Sequence, residues 1–365
     1  MLLETAADFC RTHSPIDAVR RQIEQEHSTT PELWKDMAEL GWLGVTIPEQ
    51  YGGLGMTLAD AVPIVESMGR HLMGSPYVAT TLAAQALIAS GSEEQKSHWL
   101  SEIASGAAAS VALTEEDGNW RLQEIAATAT AKGETLSLQG TKCFVLDAQQ
   151  AQAIIVSVMF EGAARLVLLQ ADQIPPDGLV REVVIDETRR SYTLRLDGIS
   201  VPQSQLLEGA NFAALEQAAM LMLVAEMSGG LAGVLHVVVD YLTTRKQFDQ
   251  YIGSYQSLKH PTVQILLSME ACRSHLYHAA TVLAAGDTAA AEEAVRMAKA
   301  QGSEAFAFAG DRAVQFHGGF GFTYECDAQL YLRRALWCQY QFGDTHTIAN
   351  CWRRCCSIRR YKSKC

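Results

Sequence analysis

The hydrophobic period changes twice along this chain, and that limits the folds open to it more than any other feature. Up to about residue 109, apolar residues recur at helical spacing between clear stops. From residue 110 they gather in short runs rich in Val, Ile, Leu and Thr at 135–138, 154–160, 165–169, 179–185 and 192–196. Gly, Pro, Asp and Asn separate these runs at the spacing of an antiparallel sheet or barrel. After Asn211 the helical period returns in Ala- and Met-rich segments at 213–244, 254–285, 288–316 and from 325 to near the end. Four long helices with short connections imply an antiparallel bundle. At 365 residues the chain is also too long for one core. The pattern predicts a mainly α protein with a β middle domain: an N-terminal α-helical domain over 1–109, a central antiparallel β domain over 110–208, and a C-terminal four-helix bundle over 209–350. A basic, Cys-rich tail follows over 351–365.

Local signals mark some helix ends. Thr30 as cap, Pro31 at the first helical position and Glu32 in the first turn open a segment with Leu33, Trp34, Met37 and Leu40 on one stripe, closed by Gly41. A glycine-rich loop, PEQYGGLG, follows at 48–55. Ser92 with Gln95 three residues on forms a capping box ahead of His98, Trp99 and Leu100.

Charge narrows the partners. The net charge of −12 has the wrong sign for a nucleic-acid backbone, so no nucleic-acid partner is expected. The tail opposes the trend, with Arg353, Arg354, Arg359, Arg360, Lys362 and Lys364 and no acid. Four of the nine cysteines, Cys351, Cys355, Cys356 and Cys365, lie there; the rest are scattered. An odd, dispersed set points to reduced thiols and a cytoplasmic location. Glu4 and Asp8 interrupt the start, so no secretory signal is expected. The longest apolar stretch, 218–239, carries Glu226, Ser228, Gly229, Gly230 and His236, and reads as a buried bundle helix rather than a membrane insertion.

Three motifs carry more specific information: RKQFDQYIGSYQ at 245–256, QFHGGFGF at 315–322, and FGDT at 342–345, preceded by Arg333 and Arg334. WLGVTIPEQYGGLG at 42–55, ALTE at 112–115 and GTKCFVLDA at 140–148 accompany them. In this order and at these separations the chain resembles the acyl-CoA dehydrogenase family over nearly its whole length. The resemblance implies removal of the α-proton and β-hydride of an acyl-CoA thioester, with FAD as cofactor and an electron-transfer flavoprotein as acceptor.

By that resemblance Arg245 takes the family's pyrophosphate position, where a forked, permanently charged donor suits phosphate oxygens. Phe248, Gln256, Gln315, Gly318 and Gly319 complete a surface that holds the ADP half of a neighbouring subunit's FAD. Thr114 is expected to bond the flavin, Phe144 to pack on it, and Thr345 to contact the cofactor. Other positions depart from the pattern. Leu146 stands where a Thr usually bonds flavin N5 and cannot donate. Trp120 replaces a small Ser at the acyl-CoA entrance, and Asp249 replaces the Gly after Phe248.

The base is altered too. Gly343 falls where the family's catalytic Glu belongs, and the alternative base position is Ala219. Asp344, one residue on, is the candidate base if the loop is reorganised. Glu226 is a second carboxylate, whose ordinary role would be pairing with an Arg or His. Cys272, His275 and His278 recur every three residues, but no fourth ligand is evident and no metal is expected. Groups lent to a neighbour's FAD survive while those serving the chain's own substrate are altered. That pattern fits the base-lacking subunit of an α2β2 acyl-CoA dehydrogenase acting on steroid side-chain or fatty acyl-CoA. The competitors are a self-sufficient homotetramer using Asp344 and a non-catalytic acyl-CoA-binding or scaffold paralogue.

Overall fold

A computed structural model describes residues 2–348; the Cys-rich tail expected at 351–365 lies outside the described residues. The chain divides into two compact units. One comprises His13–Ala61 and Met73–Ala219; the other comprises the first helix as far as Thr12, Val62–Leu72, and the chain from Met220 on.

Six helices come first: α1 (Leu2–His13), α2 (Ile16–Ile23), α3 (Pro31–Glu39), α4 (Leu58–Arg70), α5 (Tyr77–Ser90) and α6 (Glu93–Ala104). Their starts follow the local chemistry. Thr30 accepts a hydrogen bond from the Leu33 N–H ahead of Pro31, and Ser92 and Gln95 make both bonds of the capping box, at 3.2 and 2.9 Å. The expected α3 stripe is narrower than its sequence suggests: Met37 is buried, Leu33 and Trp34 half-buried, and Leu40 exposed. The Trp34 indole N–H donates to the Gly106 carbonyl at 2.7 Å.

Strands β1 (Ala109–Ala112), β2 (Thr128–Lys132), β3 (Thr135–Gln139), β4 (Thr141–Leu146), β5 (Ala153–Phe160), β6 (Ala163–Gln170), β7 (Leu179–Arg181), β8 (Ser191–Arg195) and β9 (Ser200–Pro202) follow. One sheet has the order β1-β5-β2-β3-β9, with β6 also on β5; a second has the order β4-β8-β7. The sheet expected to be antiparallel is mixed, because β1 and β2 both run parallel to β5. The β1–β5 pairing joins strands separated by a long connection, so no hairpin signal announces it. Between the sheets lies a core that includes Leu136, Leu138, Val156, Val158, Val167, Leu169, Tyr192 and Leu194. α5, apolar all round, is tied to β1 by Thr80, whose hydroxyl donates to the Ala109 carbonyl and accepts from the Ala109 N–H.

The second unit is built on α7 (Phe212–Thr244), followed by a small hairpin of β10 (Lys246–Gln247) and β11 (Gln250–Tyr251), then α8 (Gln256–Ala284), α9 (Thr288–Phe316) and α10 (Ala328–Tyr340). By length and composition α7 could cross a bilayer, but 72% of its most apolar window is buried inside the fold. Its glycines have a packing reason. A Cβ on Gly229 would stand 1.8 Å from the Glu66 carbonyl oxygen, and one on Gly69 would stand 2.1 Å from that of Glu226. α4 and α7 thus meet backbone to backbone, which larger residues would forbid. The fourth long helix was expected to run on toward the end of the chain. Instead α10 stops at Tyr340, where Phe342 and Gly343 turn the backbone with φ of 56° and 94°.

Candidate active site

In the helical unit, the residues matching the ADP-binding motifs collect at one end. Arg245 directly follows α7, and its exposed side chain has no ion pair among the described residues. β10 and β11 pair as Lys246↔Tyr251 and Gln247↔Gln250, leaving Phe248 and Asp249 as a two-residue turn with φ of 52° and 62°. A turn left-handed at both residues favours Gly, and Asp tolerates it better than Phe does. Phe248 is held there 88% exposed. Gln256 opens α8 and is exposed.

The end of α9 is fixed to this hairpin's root. Tyr241, whose carbonyl accepts the Arg245 N–H, stacks on His317 with ring centroids 4.1 Å apart. Gln315, Gly318 and Gly319 are exposed beside it. Gly318 has φ of 60°, and a Cβ on Gly318 or Gly319 would meet nothing within 4 Å, whereas one on Gly321 would stand 2.1 Å from the Val314 carbonyl oxygen. Gly321 therefore serves this fold, while Gly318 and Gly319 present bare backbone outward.

The residues matching the flavin-ring side lie in the sheet unit. Thr114 is buried, and its hydroxyl donates to the Cys143 carbonyl at 2.8 Å. Phe144 sits at a bulge where the β4–β8 register shifts, with φ of 57°. Glu182 holds that bulge: it accepts from the Phe144 N–H at 3.2 Å, the Ser191 hydroxyl at 2.6 Å and the Thr193 hydroxyl at 2.8 Å. Trp120 stacks on Phe144 with centroids 6.1 Å apart. Leu146 presents a half-buried apolar side chain on the same strand.

The loop carrying Trp120 is anchored by a buried pair. The Lys142 Nζ, fully buried, donates to Glu115 at 2.7 Å and to the Ser157 hydroxyl at 2.9 Å. Burial opposes ionisation of Glu115, but hydrogen bonds from Lys142 and the N–H groups of Ala127 and Ala126 outweigh it and hold the carboxyl below its usual range.

Neither familiar base position offers a carboxylate. Ala219 is buried, and Gly343 lies at the turn after α10. Asp344 is drawn into a different role: it accepts from the Thr347 N–H at 2.8 Å and caps the helical turn that begins at Thr345. The hydrogen bonds from Thr347 hold its carboxyl below the usual range. Thr345 donates its hydroxyl to the Ala300 carbonyl at 3.3 Å. Glu226 is ion-paired with Arg334, both buried. Cys272 is buried, its thiol pushed up to about 12, while His278 is exposed, so their helix does not bring these side chains to one side.

Sequence reasoning missed Glu182, Lys142 and Lys299. Lys299 is fully buried and donates to the Ser303 hydroxyl at 2.9 Å and to the carbonyls of Gln339 and Gly343, both at 3.0 Å. A fully buried lysine bonded to neutral acceptors is rare enough to have been the signal, had its burial been readable.

The donor chemistry divides in the same way. An exposed guanidinium, two exposed amides and bare glycine backbone suit the phosphates and ribose of a dinucleotide. The hydroxyl protons on the flavin-ring side are already engaged within the chain.

Residues 1–107 match the family model described as "Acyl-CoA dehydrogenase, N-terminal domain", and residues 214–351 match "Acyl-CoA dehydrogenase, C-terminal domain". The acyl-CoA dehydrogenase FadE12 of Mycobacterium tuberculosis is 32% identical over 320 residues, covering 82% of this chain and 81% of the relative. The acyl-CoA dehydrogenase IpdE2 of Mycolicibacterium smegmatis is 30% identical over 338 residues, covering 92% and 91%. Among solved structures, a chain of the ChsE4–ChsE5 complex from Mycobacterium tuberculosis superposes with a TM-score of 0.88 at 25% identity, covering 97% of this chain and 95% of that one. The chain belongs to the acyl-CoA dehydrogenase family.

Proposed function

We propose that this chain takes part in the FAD-dependent α,β-dehydrogenation of an acyl-CoA thioester as the base-lacking subunit of a heteromeric acyl-CoA dehydrogenase. In that reaction the thioester loses a proton from its α-carbon and a hydride from its β-carbon. Bound flavin supplies the hydride acceptor. A base for the α-proton must be a carboxylate whose pKa is raised by desolvation to suit a weakly acidic carbon.

The observation that carries the reading is Asp344. It directly follows the vacant position at Gly343, and its carboxylate is engaged by Thr347 and held below, not above, the usual range. The far end of the helical unit is intact by contrast. Arg245 would hold the pyrophosphate of the neighbouring subunit's FAD, Gln256 and Gln315 would offer amides, Gly318 and Gly319 would admit the cofactor to the backbone, and Phe248 would project toward it. Within this chain Thr114 and Thr345 direct their hydroxyl protons to carbonyls, so each meets a flavin as an acceptor rather than a donor. Leu146 adds neither.

The substrate class in this reading is a steroid side-chain or fatty acyl-CoA. The partner is a second acyl-CoA dehydrogenase-type subunit carrying the base, the acceptor is an electron-transfer flavoprotein, and the site of action is the cytoplasm. The five described cysteines, all buried and none in a disulfide, suit a reducing compartment.

The test is co-expression with a base-bearing family member. The joint complex should absorb near ~450 nm, as oxidised flavin does, and bleach with acyl-CoA, while the chain alone should be flavin-poor and inactive. A complex that is colourless and unreactive would favour a scaffold instead.

A further inference from the structure

The loop beyond α10 carries the vacant base position at Gly343, the capping Asp344 and Thr345, and two consecutive residues of α9 hold it. Lys299 donates to the Gln339 and Gly343 carbonyls, and the next residue, Ala300, accepts from the Thr345 hydroxyl. The loop needs such a hold. Phe342 and Gly343 are both left-handed, and the last carbonyls of α10 have no N–H donors within the helix. We infer that Lys299 is the positioning residue of this loop, its buried ammonium fixing the Gly343–Thr345 backbone against α9 so that Thr345 is held at the cofactor. This deepens the function proposed above and rests on it for the last clause only.

The chemistry of the head group sharpens the inference. An ammonium has three N–H donors, and Lys299 has three acceptors: the Ser303 hydroxyl and the two carbonyls. The neutral amine has two N–H donors and no charge, so deprotonation removes one donated bond and the charge assistance from those to the two carbonyls. Burial brings this Lys down to about 8, against the pull of Cys338 from α10 and Asp344 from the loop. From α7, the neutral sulfur of Met227 lies 4.0 Å from the Ser303 hydroxyl. The hold should therefore weaken within the alkaline range.

Hydrogen exchange on the purified complex with its partner subunit tests this. The amides of Gly343, Thr347 and Ile348, which donate to Tyr340, Asp344 and Asp344 respectively, report on the loop. In Lys299→Met they should exchange on the order of tenfold to a hundredfold faster, as expected for losing a bond to a charged group, with α7 and α8 unchanged. Unchanged protection of these three amides would overturn the inference. Should that variant fail to fold, the wild-type complex supplies the second measurement. Protection of the same amides, corrected for intrinsic exchange, should fall between about pH 7 and 9.5 as an amine replaces the ammonium, while α8 stays flat; no selective fall would overturn it. Flavin content is measured alongside. Loop protection lost with flavin retained would uphold the clamp and remove the cofactor assignment of Thr345, so the two failures are distinct.

Discussion

The imidazole of His317 lies on the ring of Tyr241, with centroids 4.1 Å apart and planes 25° from parallel. The His317 Nδ1 is 2.7 Å from the Ala313 carbonyl oxygen, so the ring cannot swing without breaking its own helix cap. This stack joins the last turn of α7 to the last turn of α9. It explains how motifs seventy residues apart, one containing Arg245 and one containing Gly318, come to share one end of the helical unit. A surface assembled this way is preorganised before any neighbour arrives.

Arg245→Ala should remove flavin from the assembled enzyme without unfolding the chain. The guanidinium is exposed and has no ion pair among the described residues, so its loss costs the fold little. Losing a charge-assisted contact to a pyrophosphate should weaken cofactor binding by about 2 to 5 kcal/mol. Flavin absorbance per complex, measured with the circular dichroism spectrum, checks both halves. Full flavin occupancy in the variant would refute the assignment.

The Glu226–Arg334 pair is expected to be structural. Arg334→Met alone leaves a buried carboxylate without its partner and should cost about 3 to 5 kcal/mol. Adding Glu226→Leu should restore much of that, since a buried ion pair replaced by apolar groups of similar size is often near neutral. Denaturant midpoints of the two single variants and the double variant give the answer. If the double variant is stable but the complex is inactive, Glu226 has a chemical role after all.

How much of this could be read from the sequence depends on how local each signal is. The capping box at Ser92 and the helix Thr288–Phe316 were fully legible, because residues three or four apart carry both. Strands β1, β2, β4 and β9 were missed: Ala109–Ala112 and Thr128–Lys132 are short and rich in Ala and Thr, Ser200–Pro202 is only three residues and ends in Pro, and β4 is broken by the bulge at Phe144. The motif residues at the cofactor end were found by resemblance, while their support was not. Lys142 and Lys299 look like solvated lysines in a one-dimensional reading. Their partners Glu115 and Gly343 lie 27 and 44 residues away, and only the fold reveals that both lysines are buried. The sequence presents Trp120 as bulk at an entrance; its stacking on Phe144, 24 residues on, is visible only once the loop is folded.

Asp147 offers a test of the sheet unit by pH. It is buried, and burial pushes its carboxyl up to about 6 despite the Ser28 hydrogen bond and the nearby charges of Arg189, Arg190 and His27. Because the folded value lies above the unfolded one, the folded chain keeps a proton that the unfolded chain releases between about pH 4 and 6. Stability from this group is therefore present at low pH and lost as pH rises through about 6. Asp147→Asn, which keeps the shape without the charge, should stabilise the protein at pH 7.5 by about 1 to 3 kcal/mol and much less at pH 5. Melting temperatures of both proteins at the two pH values suffice; an equal shift at both would contradict the assignment.

Asp344 decides between a subunit that borrows its base and an enzyme that carries its own. The geometry favours borrowing: the Thr347 N–H donates to the carboxylate at 2.8 Å, and the Thr347 hydrogen bonds hold that carboxyl below its usual range. A group so held contributes stability that is present above the unfolded pKa and lost as pH falls toward the lowered value. It is also a poor match for a carbon acid, whose base needs the opposite shift. Asp344→Asn keeps a good capping side chain, so it should cost about 1 kcal/mol or less of stability. In the complex with a base-bearing partner it should retain most of the rate at which acyl-CoA bleaches the flavin. If Asp344 were the base, the same change would lower that rate by several orders of magnitude with FAD still bound. Single-turnover bleaching of the wild-type and variant complexes separates these outcomes, because a cap acts on the fold and a base acts on the chemical step.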